Sequence, residues 1–144
     1  MNTIIHQRVQ LCRDGAYEKC IEKMPSGWAV MGDVQFLKGY CLLLPDPVVP
    51  DLNAMNMNQR QAFLLDMTRL GDAVLTVTGA VRINYEMLGN LEPALHAHVF
   101  PRFNDEAEQL RTAPVWFYDW KTAPEFSAAT HQPIMDSIKI ELNS

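Results

Sequence analysis

His96 and His98 stand one residue apart in "EPALHAHVFPRF", Glu92 to Phe103, and are two of the chain's four histidines. Near neutral pH an imidazole can act as a base, a metal ligand or a nucleophile toward phosphorus. Alternation along a strand puts His96 and His98 on one face and Leu95, Ala97 and Val99 on the other. With the apolar set turned to a core, the two rings face an opening or a second layer. Three readings fit the pair. Both rings can be structural, satisfied by backbone or by each other. They can supply two ligands to a metal, which needs at least a third. His6 and His131 lie near the chain ends, however, and Cys12, Cys20 and Cys41 show no ligand spacing. Lastly, one ring can attack phosphorus while the other hydrogen-bonds a non-bridging oxygen as negative charge grows there.

The motif needs a strand, expected from Ala94 to Phe100, and neighbours to hold it. Apolar spacing predicts a short opening helix from Asn2 to Cys12, stopped near Gly15. "WAVMGDV", Trp28 to Val34, and "GYCLLL", Gly39 to Leu44, read as strands, and the prolines between Pro45 and Pro50 then break regular structure. The clearest helix follows, with Asn58 as N-cap, Phe63, Leu64, Met67, Leu70, Val74 and Val77 on one stripe, and an end near Gly79. "VRINYEML", Val81 to Leu88, reads as the next strand. After Pro101 the chain turns irregular through Thr112 to Trp120, and a last short helix is expected from Pro133. Strands with short connections and one long helix between two pairs indicate α+β.

With 144 residues, no repeat and no low-complexity linker, the chain is expected to form one domain, 1–144, with a real core. Its 48% hydrophobic and 20% charged residues are ordinary for a globular protein. A net charge of −5 argues against broad binding to nucleic acid or to an anionic membrane surface. Three cysteines without C-x-x-C spacing, and no apolar leader at the N-terminus, predict free thiols in a cytoplasmic protein.

"GNLEPALHAHVFPR", Gly89 to Arg102, resembles the signature of the histidine triad (HIT) family of nucleotide hydrolases and transferases. That signature alternates three histidines with hydrophobic residues, after a Gly-Gln or Gly-Asn loop and often before Pro-Arg. "GYCLLLPDPVVPDL" is similar to a second family segment, so the resemblance covers Trp28 to Arg102, with 103–144 as a C-terminal extension. Pro47 and Val48 resemble the fragile-histidine-triad, dinucleoside-polyphosphate hydrolase branch. The resemblance implies a HIT-like antiparallel sheet of about five strands with the long helix and short terminal helices. It also implies a homodimer, a nucleotide or dinucleoside polyphosphate substrate, and hydrolysis or nucleotidyl transfer at a phosphoanhydride or phosphoramidate bond. By the same resemblance His96 is the nucleophile that forms a nucleotidyl-imidazole, and His98 contacts phosphate oxygens. Gly89 and Asn90 form the loop that meets phosphate or leaving group, and Arg102 adds charge near the site or else pairs with Asp105, Glu106 or Glu108. No metal is required by the covalent step, although Mg²⁺ is compatible with a polyphosphate substrate.

Three positions depart from that pattern. Ala94 stands where the first histidine belongs, and restoring histidine there is expected to raise turnover. Gly32 occupies the place of an acid or amide that holds the ribose, leaving adjacent Asp33 as the candidate if a bulge re-aims it. Leu91 replaces a small hydroxyl residue. These departures keep a second function in play: a nucleotide-binding or regulatory module with a degenerate triad.

Overall fold

The computed structural model describes residues 2–144. Helix α1 spans Ile4–Arg13, and strands β1 Cys20–Met24, β2 Gly27–Met31 and β3 Cys41–Pro45 follow. Helix α2 covers Met57–Thr78, β4 covers Arg82–Glu86 and β5 covers Ala97–Arg102, before α3 at Glu108–Arg111 and α4 at Ala128–Leu142. The five strands form one sheet in the order β1-β2-β3-β5-β4, every neighbouring pair antiparallel. The expected α+β architecture with five strands and one long helix is what the chain adopts.

Alternation along the strands divides the molecule into two apolar layers. On one face Ala29, Met31, Cys41, Leu43, Ala97 and Val99 pack with Phe63, Leu70 and Val74 of α2 and with Met135 and Ile138 of α4. On the other, Val30, Leu42, Leu44 and Phe100 pack with Ile5 and Val9 of α1 and with Val115 of the C-terminal segment. The histidine motif therefore lies between β5 and the layer made by α1 and residues 112–120.

Helix α2 starts two residues before its expected position. Asn56 accepts the backbone N–H of Gln59 at 2.9 Å, and the Gln59 side chain accepts the N–H of Asn56 at 2.8 Å, closing a capping box. It ends at Gly79, whose φ of 71° is the left-handed C-cap that glycine makes at low cost.

Other boundaries differ for identifiable reasons. Strand β1 was not expected, because five residues, "CIEKM", carry too little periodicity to stand out. Strand β2 stops at Met31, and residues 32–40 form a loop held from inside by buried Gln35. Its side-chain amide donates to the carbonyls of Gly32 and Tyr40, each at 3.0 Å, and its oxygen accepts the N–H of Gly39 at 2.9 Å. Helix α4 begins before Pro133, at Ala128, where His131 Nδ1 accepts the N–H of the N-cap Ser127 at 2.9 Å. Strand β5 begins at Ala97, so His96 sits on the approach to the strand. Among the described residues no helix is long and apolar enough to cross a membrane.

Candidate active site

A cavity of about 310 Å³ opens beside the start of β5, lined by His96 and His98 together with Tyr40, Asp33, Arg8, Glu92 and Trp120. This volume lies at the lower end of small-molecule sites, roughly 300–1,000 Å³. Helix α1 forms one wall through Ile4, Ile5 and Arg8, and is fastened there because Glu92 accepts the N–H of Ile4 at 2.6 Å.

The two imidazoles are 4.9 Å apart between ring centres and inclined by 72°. His96 is half-buried, with Nδ1 at 2.7 Å from the carbonyl oxygen of Ala94. A carbonyl only accepts, so Nδ1 carries a hydrogen, and in the neutral ring the lone pair resides on Nε2. His98 is buried, and its Nδ1 lies 2.6 Å from the Tyr40 hydroxyl. Phe100 stacks parallel on its ring at 5.3 Å, and Trp116 meets it edge-on at 5.4 Å. Burial, followed by the proximity of His96, pushes the His98 imidazole from its ordinary 6.5 down to about 4.

Asp33 reaches the cavity because β2 ends before it, without the bulge that the sequence required. Its carboxylate takes a hydrogen bond from Arg8 at 2.5 Å and another from Lys19 at 3.0 Å. Burial works against the charged form of Asp33, but Lys19 and Arg8 outweigh it and hold the carboxyl below its usual range. Gly32 has its own reason for lacking a side chain: a Cβ there would lie 2.3 Å from the ring of Tyr40.

The structure gathers His96, His98 and Asp33 around one cavity and leaves the other expected site residues off its wall. Gly89 turns the chain with a φ of +67°, and the side chain of Asn90 is exposed. Arg102 calls for a correction. It is buried, and all of its N–H groups are engaged within the protein: Nε and Nη2 with Glu106, Nη1 with Asn84 and the carbonyl of Ala113, Nη2 also with the carbonyl of Leu110. It pairs with Glu106, as the sequence allowed, in a structural clasp with no donor left for substrate.

Ala94 is fully buried in the cluster that contains Ile5, Val9 and Phe100. An imidazole at that position must displace packed atoms, so the expected gain on restoring histidine meets a steric obstacle. Sequence reasoning missed Tyr40, Arg8 and Glu92. For Tyr40 a signal existed, since it shares strand parity with Leu42, which pairs with His98 across β3 and β5. For Arg8 and Glu92 none did. Among the described residues no three His, Cys, Asp or Glu side chains come together as metal ligands.

No family model and no curated protein sequence matches the chain. Solved structures do. A histidine triad protein from Bradyrhizobium japonicum is 22% identical, with 87% of this chain and 92% of that one covered at a TM-score of 0.75. A histidine triad protein from Marinobacter aquaeolei VT8 is 16% identical, covering 96% and 94% at a TM-score of 0.76. A hypothetical histidine triad nucleotide-binding protein from Sulfolobus tokodaii is 10% identical, covering 95% and 91% at 0.74. The chain has the histidine-triad fold.

Proposed function

We propose that this protein is a nucleotide hydrolase or nucleotidyl transferase in which His96 forms a covalent phosphoramidate. The observation that carries this reading is the hydrogen bond from His96 Nδ1 to the Ala94 carbonyl, at the edge of a ligand-sized cavity. It orients the ring and leaves the Nε2 lone pair for bond formation. Because the backbone supplies this contact, alanine at position 94 keeps it. In the first step Nε2 bonds to the α-phosphorus as the bond to the leaving oxygen breaks, and a polyphosphate leaving group departs with that electron pair as an anion. In the second, water forms a new P–O bond, the P–N electron pair returns to Nε2, and the water's surplus proton goes to solvent. His98 faces the same cavity and fits the part of hydrogen-bond partner to the non-bridging oxygens.

A dinucleoside polyphosphate is the substrate suggested by Pro47 and Val48, with Mg²⁺ as the substrate's companion. The outer edge of β4, which pairs with β5 alone, suits pairing with a second copy into a homodimer. The second reading, a nucleotide-binding module with little catalysis, is favoured by the exposure of Asn90 and the missing imidazole at Ala94. Turnover of a fluorogenic adenosine phosphoramidate and of a diadenosine polyphosphate, compared between wild type and His96→Ala, separates the two. The catalytic reading expects turnover that His96→Ala abolishes. Nucleotide binding with no turnover in either protein leaves the binding module.

A further inference from the structure

We propose that Tyr40 is a positioning residue whose hydroxyl donates to His98 Nδ1 and so fixes His98 as a neutral Nε2–H donor toward the cavity. The inference rests on the reading of His98 as the oxygen-binding partner of His96, and adds the residue that sets its tautomer.

The direction of the 2.6 Å hydrogen bond follows from counting protons. If Nδ1–H donated to the phenol oxygen, the phenol's own proton would need an acceptor, and the Tyr40 hydroxyl has no other hydrogen-bond partner among the described residues. Tyr40 is only 3% exposed, so that proton would be stranded away from water, at a cost of roughly 1–3 kcal/mol. With the phenol as donor both groups are satisfied: Nδ1 accepts, and the single proton of the neutral ring resides on Nε2. Burial keeps the phenol protonated and the imidazole neutral, which agrees with this assignment.

His96 and His98 are thereby held in opposite tautomers by different partners. The Ala94 carbonyl puts a lone pair on Nε2 of His96, and the Tyr40 hydroxyl puts a hydrogen on Nε2 of His98. Neighbouring rings, each able to do either job, become one nucleophile and one donor. The ionisable groups around His98 are few. His96 lies beside it and Glu86 is its register partner on β4, where its carboxylate accepts the Trp116 indole N–H. Arg8, Asp33 and Glu92 line the shared cavity, and Cys41 adjoins Tyr40 on β3.

Nitrogen-15 long-range correlation spectra of the labelled full chain read the tautomer directly, without substrate. In wild type at neutral pH, His98 should show a protonated Nε2 and an unprotonated Nδ1. Tyr40→Phe keeps the ring that rests on Gly32 and should convert His98 to a mixture of tautomers. The same variant should lower kcat about tenfold, the equivalent of one neutral hydrogen bond, with KM within about twofold. A wild-type spectrum with the proton on Nδ1, or a Tyr40→Phe spectrum identical to wild type, overturns the proposal. Should Tyr40→Phe misfold, the wild-type spectrum still decides. An inactive wild type with an Nε2–H His98 would sink the functional reading and leave the Tyr40 hydrogen bond standing, so the two failures are distinguishable.

Discussion

The two ends of the β5 segment place polar side chains on the same face of the sheet and treat them in opposite ways. At its start, His96 and His98 each have one ring nitrogen bonded to the protein and the other without a hydrogen-bond partner among the described residues, beside a cavity. At its end, Arg102 has every donor engaged, and Glu106 accepts from Arg102, the N–H of Phe103 and the Tyr118 hydroxyl. Residue type alone would rank the arginine beside the histidines as a phosphate ligand. What separates them is residual hydrogen-bonding capacity. A group with capacity left next to an opening can act on a ligand, whereas a saturated one only holds the chain together.

Perturbing the two ends should therefore have opposite signatures. The largest effect is expected at His96: His96→Ala should bring turnover to background, roughly 10⁴-fold or more below wild type, while thermal melting barely moves. Arg102→Met should do the reverse. Removing one partner of a buried pair costs about 3–5 kcal/mol, seen as a lower urea midpoint, with kcat per folded molecule unchanged. His98 links the two kinds of behaviour through pH. Unfolded, its ring takes a proton near 6.5, and folded only near 4, so the unfolded chain binds more protons between those values. Stability from this group is complete above about pH 6.5 and is lost, by up to about 3 kcal/mol, as pH falls toward 4. Urea unfolding at neutral and mildly acidic pH should show this slope in wild type and not in His98→Gln. Ala94→His should cost about 1–3 kcal/mol through overpacking, and a melting curve at or above the wild-type midpoint would refute the packing argument. The smallest change belongs to Asn90→Ala, for which melting within about 0.5 kcal/mol of wild type is expected from an exposed side chain.

Features that repeat or punctuate were legible in the sequence. The α2 stripe from Phe63 to Val77, the stop at Gly79 and the shared face of His96 and His98 all follow from local periodicity. Boundaries misled where two local signals competed. Asn56 and Asn58 are both good caps, and only the position of Gln59, three residues after Asn56, favours the first. Pro133 suits a helix start, yet His131 supplies a cap for an earlier one. Relations across the fold were hidden. Arg8, Asp33 and Glu92 are far apart in the chain and meet only because α1 lies across the sheet. The fate of Arg102 depended on carbonyls at 110 and 113, in a segment that reads as irregular.

Gly32 and Tyr40 also constrain how this chain can change over generations. Any side chain at position 32 collides with the Tyr40 ring, so Gly32 cannot be replaced while Tyr40 stays. A lineage that acquired an acid or amide at position 32 would first have to trade Tyr40 for something smaller. Until then the substitution would evict an aromatic ring from a packed layer. The order of the two steps is thus set by sterics: Tyr40 first is passable, Gly32 first is a dead end. A library that varies positions 32 and 40 together should recover paired replacements that neither single-position library contains.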